Sequence, residues 1–167
     1  MANIIREQKI VDNNKRALIK YVATLDTATA NTLLVDVSQL RFALNTTGQI
    51  MTSNTNIKPV YRTTIKRIFG NARANGYIKI LWQGSNTADI IAISDGNFDY
   101  YFDPMGDGTV IPNQDANSNG NILMTVVTPS SADALTLFID LRKDSRDYDA
   151  GQTADPVAFN RGPAAFS

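Results

Sequence analysis

The 167-residue sequence predicts an all-β fold, a single-domain antiparallel β-sandwich, jelly-roll-like, with an extended C-terminal arm. Three observations predict it. About nine short apolar-rich runs recur between turn residues; two of them alternate cleanly; and Asn, Thr and Asp are abundant while long Glu/Lys/Ala stretches are absent, Glu7 being the only Glu. Many short strands with frequent punctuation build a sandwich or barrel rather than a parallel α/β sheet.

The runs follow in order. "NIIREQKIV" at 3–11, "RALIKYVATL" at 16–25 and "TLLVDV" at 32–37 come first, and "SQLRFAL" at 38–44 is the best helix candidate, with Ser38 able to cap one or two turns. "PVYRTTIKRIF" at 59–69 is a basic strand. In "YIKILWQ" at 77–83 the side chains of Ile78, Ile80 and Trp82 share a face. "DIIAIS" at 89–94 and "FDYYFD" at 98–103 flank the Asp-Gly-Asn of 95–97, which reads as a hairpin turn because Asp-Gly supplies positive φ angles. "NILMTVV" at 121–127 follows a long connection. In "ALTLFIDL" at 134–141, Leu135, Leu137, Ile139 and Leu141 alternate with Thr136, Phe138 and Asp140. Beyond Leu141 the periodicity stops and Asp, Gly, Pro and Ala dominate. The division is therefore a sandwich domain at 1–142 and an arm at 143–167, with Tyr148, Val157, Phe159 and Phe166 spaced like anchors for docking.

The sequence has neither cysteine nor histidine. That removes disulfides, thiolate nucleophiles, imidazole bases and the soft or imidazole metal sites. No serine triad can form, and no catalytic constellation, cofactor or metal is called for. No apolar run approaches the roughly 20 residues of a membrane span, and the charges at Arg6, Glu7, Lys9 and Asp12 interrupt any signal-peptide core, so a soluble protein is expected.

One stretch imitates a calcium loop. "DANSNG" at 115–120 has the opening of an EF-hand, but the twelfth position is Val126 where a bidentate carboxylate belongs, and strand-like residues follow. Asn119-Gly120 is better read as the turn entering 121–127. Pairs such as Asp103 with Asp107, or Asp147 with Asp149, read as solvated loop residues rather than as glycosidase carboxylates.

Net charge is zero, yet residues 1–79 hold twelve Lys/Arg and four acids, and residues 80–167 hold four and twelve. Basic strands lying beside acidic ones in one domain would account for the split. Copies meeting basic face to acidic face is the alternative. The cluster "YRTTIKRIFGNAR" has the composition of a nucleic-acid surface, but alternation sets Arg62 and Lys66 on one face and Arg67 on the other, and the neutral total argues against nucleic acid as partner.

Three stretches carry a family resemblance. "IIREQKIVDNNKRALIKYV" at 4–22, "VYRTTIKRIFG" at 60–70 and "LFIDLRKDSRDYDAGQTADPVAFN" at 137–160 resemble small virion structural proteins of tailed phages of marine cyanobacteria and related bacteria. The resemblance implies a non-enzymatic protein of the virion, made in a host cytoplasm, whose partners are the major capsid protein or other virion proteins and copies of itself. Head decoration or cementing is the leading role, a neck, tail or baseplate component the next. A surface carbohydrate-binding module, with Trp82, Tyr100 and Tyr101 as stacking faces, is the alternative of another class. The candidate interface residues are Arg62, Lys66, Arg67, Arg142 and Arg146 for polar contacts and Tyr148, Val157 and Phe159 for apolar ones.

Overall fold

In the structure, a computed structural model, residues 2–85, 87, 89–102, 118–130 and 133–149 are described. Two antiparallel sheets pack face to face. Their strands are β1 (Ile4–Asp12), β2 (Arg16–Leu25), β3 (Thr29–Val35), β4 (Thr63–Arg73), β5 (Tyr77–Trp82), β6 (Asp89–Ile93), β7 (Gly96–Tyr101), β8 (Ile122–Val127) and β9 (Asp133–Lys143). One sheet has the order β1-β2-β9-β4-β7, the other β3-β8-β5-β6.

These orders have a simple origin. β2 pairs with β9, β3 with β8, β4 with β7 and β5 with β6, which are the pairs of one long hairpin running out through β5 and back from β6. Rolling that hairpin adds β9 to β4 and β8 to β5, and so divides it into two four-stranded sheets. The result is a jelly roll. β1 extends one sheet as the antiparallel neighbour of β2.

Period-two alternation fills the space between the sheets. Ala17, Ile19, Tyr21, Ala23 and Leu25 of β2 meet Leu135, Leu137, Ile139 and Leu141 of β9 in one buried cluster with Ile78, Ile80 and Trp82 of β5. Each large apolar side chain so buried stabilises the fold by about 1.5–3 kcal/mol. Because five strands face four, β1 overhangs the opposite sheet, and most of its side chains are exposed.

The strand runs expected from the sequence are all present, with ends shifted by a few residues. Four expectations change. The helix expected at 38–44 is only a 3-10 turn at Val37–Gln39, capped by Asp36, whose carboxylate accepts from the Ser38 amide at 3.0 Å. The Asp95-Gly96 turn joins no hairpin, because β6 and β7 lie in different sheets; positive φ reverses the chain but does not choose its partner. A bulge between Ile65 and Arg67 breaks the alternation of the basic strand, so Arg67 falls on the solvent face opposite Asp140. The boundary at 142/143 falls inside β9, and residues through Asp149 belong to the domain.

Residues 103–117 lie outside the described residues, but the end of that connection is defined. Ser118 Oγ accepts from the Gly120 amide and Asn119 Oδ1 from the Asn121 amide, closing the Asn-Gly turn that leads into β8. Gly120 has φ +93°, and a Cβ there would lie 2.1 Å from the Tyr61 carbonyl oxygen. Gly120→Ala is therefore expected to cost about 2 kcal/mol or more. Urea unfolding of the two proteins measures it, and equal midpoints would contradict the strain.

Candidate protein-interaction surface

The segment after β9 closes one end of the sandwich. Lys143 continues the inward alternation of Leu141, and its side chain is fully buried. Its ammonium donates to the Asp12 carboxylate, to the Asn13 carbonyl at 2.7 Å and to the Arg41 carbonyl at 2.8 Å, so all three donors are met. The Tyr148 ring lies 5.1 Å from it. Burial pushes the Lys143 pKa down, and the Asp12 contact opposes that shift.

Four residues on, Asp147, expected from the sequence to be a solvated loop residue, is instead buried, as is Asp149, and gathers a second cluster. Its carboxylate accepts from the Arg62 amide at 2.9 Å, from Lys58 Nζ at 3.1 Å and from the Arg62 guanidinium at 3.2 Å. Tyr148 forms an antiparallel bridge with Ala43 and donates its hydroxyl to the Val37 carbonyl. Burial raises its pKa far above the usual tyrosine range. The turn itself is tied by Asp144, which accepts from the Arg146 amide and guanidinium; those hydrogen bonds hold its pKa down to about 2.

Outside this closure lies a basic groove of about 680 Å³. Lys15, Arg16, Arg62, Lys66, Arg142 and Lys143 line it, drawn from the β1–β2 turn, β2, the approach to β4, β4 and β9. Register places Arg16 directly opposite Arg142, and Arg142 opposite Thr64. Arg16 forks onto Asp140 with bonds of 2.8 and 2.9 Å.

Beside the groove, the solvent face of the same sheet carries an aromatic and cationic row. Phe138 and Phe69 are opposite each other in register and stack at 4.7 Å with planes 3° apart. Lys20 sits 5.8 Å from the Phe138 centroid and Arg67 4.5 Å from that of Phe69, while Arg67 also forks onto Asp99. Exposed ion pairs of this kind contribute little to stability, so the row is chiefly a patterned surface.

The sequence-derived candidates separate accordingly. Arg62, Lys66 and Arg142 come together in the groove; Arg146 stands beside it on Asp144; Arg67 belongs to the aromatic row. Tyr148 is wholly buried in the core of its own domain, which removes it as an anchor on a neighbour. Val157 and Phe159 lie outside the described residues. Lys15 and Arg16 were missed, although a basic pair at a turn followed by an alternating strand was visible. Of the supposed carbohydrate-stacking side chains, Trp82 is 1% exposed and offers no face, whereas Tyr100 and Tyr101 are exposed on β7.

Charge is matched mostly across the rolled hairpin. Arg16–Asp140, Lys58–Asp147, Arg62–Asp147, Arg67–Asp99 and Lys79–Asp89 each join a base from residues 1–79 to an acid from residues 80–167. The halves of opposite charge are neighbours in one domain. Comparison with protein-family models, with curated proteins and with solved structures finds no match for this chain.

Two predictions follow from the closure. Lys143→Met strands the Asp12 carboxylate and should cost about 3–5 kcal/mol, whereas adding Asp12→Leu should recover a large part of that loss; a double-mutant cycle in urea checks it. The depressed Asp144 pKa contributes stability that is complete above pH 3.8 and lost as pH falls towards 2. Asp144→Asn should thus be less stable than the parent at pH 7 and about equal to it near pH 2, measured by denaturant midpoints.

Proposed function

We propose that the chain is a structural protein of a tailed-phage virion, a head decoration or cement protein that stabilises the capsid shell through protein–protein contacts with the major capsid protein and with its own copies. One observation carries the reading. The three separate stretches that resemble virion proteins, 4–22, 60–70 and 137–160, contribute β1, β2, β9 and the start of β4, which are neighbours in one sheet. The same strands build the basic groove and the aromatic row. The strands that carry the resemblance thus lie side by side in one sheet, and the outer face of that sheet is the surface the chain would offer to a partner.

The fold suits this role. A rigid jelly roll presents its outer face in fixed geometry, and repetition over a symmetric shell makes modest contacts effective. Copy number tests the placement, by quantitative mass spectrometry of purified virions. A shell protein should number on the order of hundreds, a neck or tail ring a few to dozens. Absence from virions would overturn the proposal. Truncation tests the arm. Removing residues 143–167 would also remove Lys143, Asp147 and Tyr148 and should unfold the domain. Removing only 150–167 should leave a folded protein that no longer joins the shell; full occupancy of that variant would contradict the arm's role.

A further inference from the structure

We infer that the basic groove is a carboxylate-binding site that receives a short acidic segment of a neighbouring virion protein. The identity of the neighbour rests on the function proposed above; the chemistry rests on the groove. The first argument is an arrangement that costs the isolated chain stability. Arg16 and Arg142 are directly opposed on adjacent strands, and like charges so placed repel. Asp140 compensates Arg16. Arg142 is exposed, and no acid lies within ion-pair distance of it, or of the adjoining Lys15, among the described residues. A counter-charge arriving with a ligand would relieve that repulsion.

The second argument is preorganisation. Arg16, Arg142 and Thr64 stand side by side on paired strands with fixed register, and Ser145 also lines the groove. Sites built on strands hold their geometry better than sites on loops. The third argument selects peptide carboxylates over a nucleic-acid backbone. Asp144 lines the groove, and Asp140 and Asp147 lie behind it on the lining arginines Arg16 and Arg62, so that each of the three is already bonded to an arginine. A strand with a phosphate on every residue would run against these acids on leaving the site. A peptide can place one or two carboxylates at Arg142 and Lys15 and present neutral residues elsewhere.

The test uses the full-length protein and calorimetric titration at low ionic strength with a capped octapeptide containing two glutamates, its glutamine counterpart, an oligonucleotide of similar length and inorganic phosphate. The acidic peptide should bind, the glutamine peptide should not, and added salt should weaken binding. Arg142→Gln should weaken it by about tenfold or more while leaving the melting temperature unchanged or raised, because it removes a like-charge pair. No binding at millimolar peptide, unchanged binding by Arg142→Gln, or tighter binding of the oligonucleotide or of phosphate would each overturn the inference. Since these readings come from purified protein, they are separable from the virion test. A protein absent from virions that still binds the peptide would overturn the placement alone.

Discussion

Pairing of β2 with β9 is the constraint on which the rest of the domain depends, because it joins residues 16–25 to residues 133–142 and encloses everything between them. Between these strands the chain returns as nested pairs, β3 with β8, β4 with β7 and β5 with β6, and rolling that nest gives the two sheets. Contacts so distant in sequence make the loop-closure cost large before any packing offsets it. The same constraint accounts for the charge division along the chain. A rolled hairpin lays the first half of the sequence beside the second, so a base-rich half and an acid-rich half become cross-strand partners, as in Arg67 with Asp99 and Arg16 with Asp140. What looks along the sequence like segregation is, across the sheet, neutralisation.

The end of β9 completes that constraint. A buried ammonium with three acceptors from the end of β1, the following turn and Arg41 ties the β1–β2–β9 ladder to the segment near Arg41, which no named strand contains. Burial alone would make Lys143 a liability, since removing a charge from water costs several kcal/mol unless partners satisfy it. Here the satisfied donors fix the position of residues 41–44, and Asp147 fixes the approach to β4 in the same way. The closure is polar at its centre and apolar around it, with Tyr61 and Tyr148 packed at 5.8 Å.

Local pattern made the strands legible, and its limits explain the rest. Alternation in 77–83 and 134–141 identifies inward faces because a strand must bury every second residue, and Ile78, Ile80, Trp82, Leu135 and Leu137 are buried as expected. Alternation also points Lys143 inward, a signal that is easily overridden by the expectation that lysine is solvated. Past it the chain turns, and Tyr148 is held by hydrogen bonds to distant backbone, which no periodicity announces. The bulge at 65–67 shifts Arg67 to the outer face without any sequence mark beyond the strand itself. The groove draws on residues 15–16, 62–66 and 142–145, so it exists only after the long-range pairs form. Separate basic residues were visible; their convergence was not.

The two sheets divide the labour of the domain. In β3-β8-β5-β6 the apolar inward faces of β5 and β8 contribute Ile78, Ile80, Trp82, Ile122, Met124 and Val126 to the core, with Met124 and Ile122 fully buried. In β1-β2-β9-β4-β7 the same inward packing is joined to an outward face of paired arginines, stacked phenylalanines and an overhanging edge strand. Holding Arg16 beside Arg142 is tolerable because the β2–β9 ladder and the core behind it contribute far more than the repulsion removes. A binding surface can depart from what is best for the isolated chain only where the scaffold beneath it has stability to spare. The most heavily bonded strands, β2, β9 and β4, are the ones that carry the basic groove. That coincidence places the proposed contact where the backbone yields least, so force applied through it in an assembly would be borne by the ladder itself rather than by a loop.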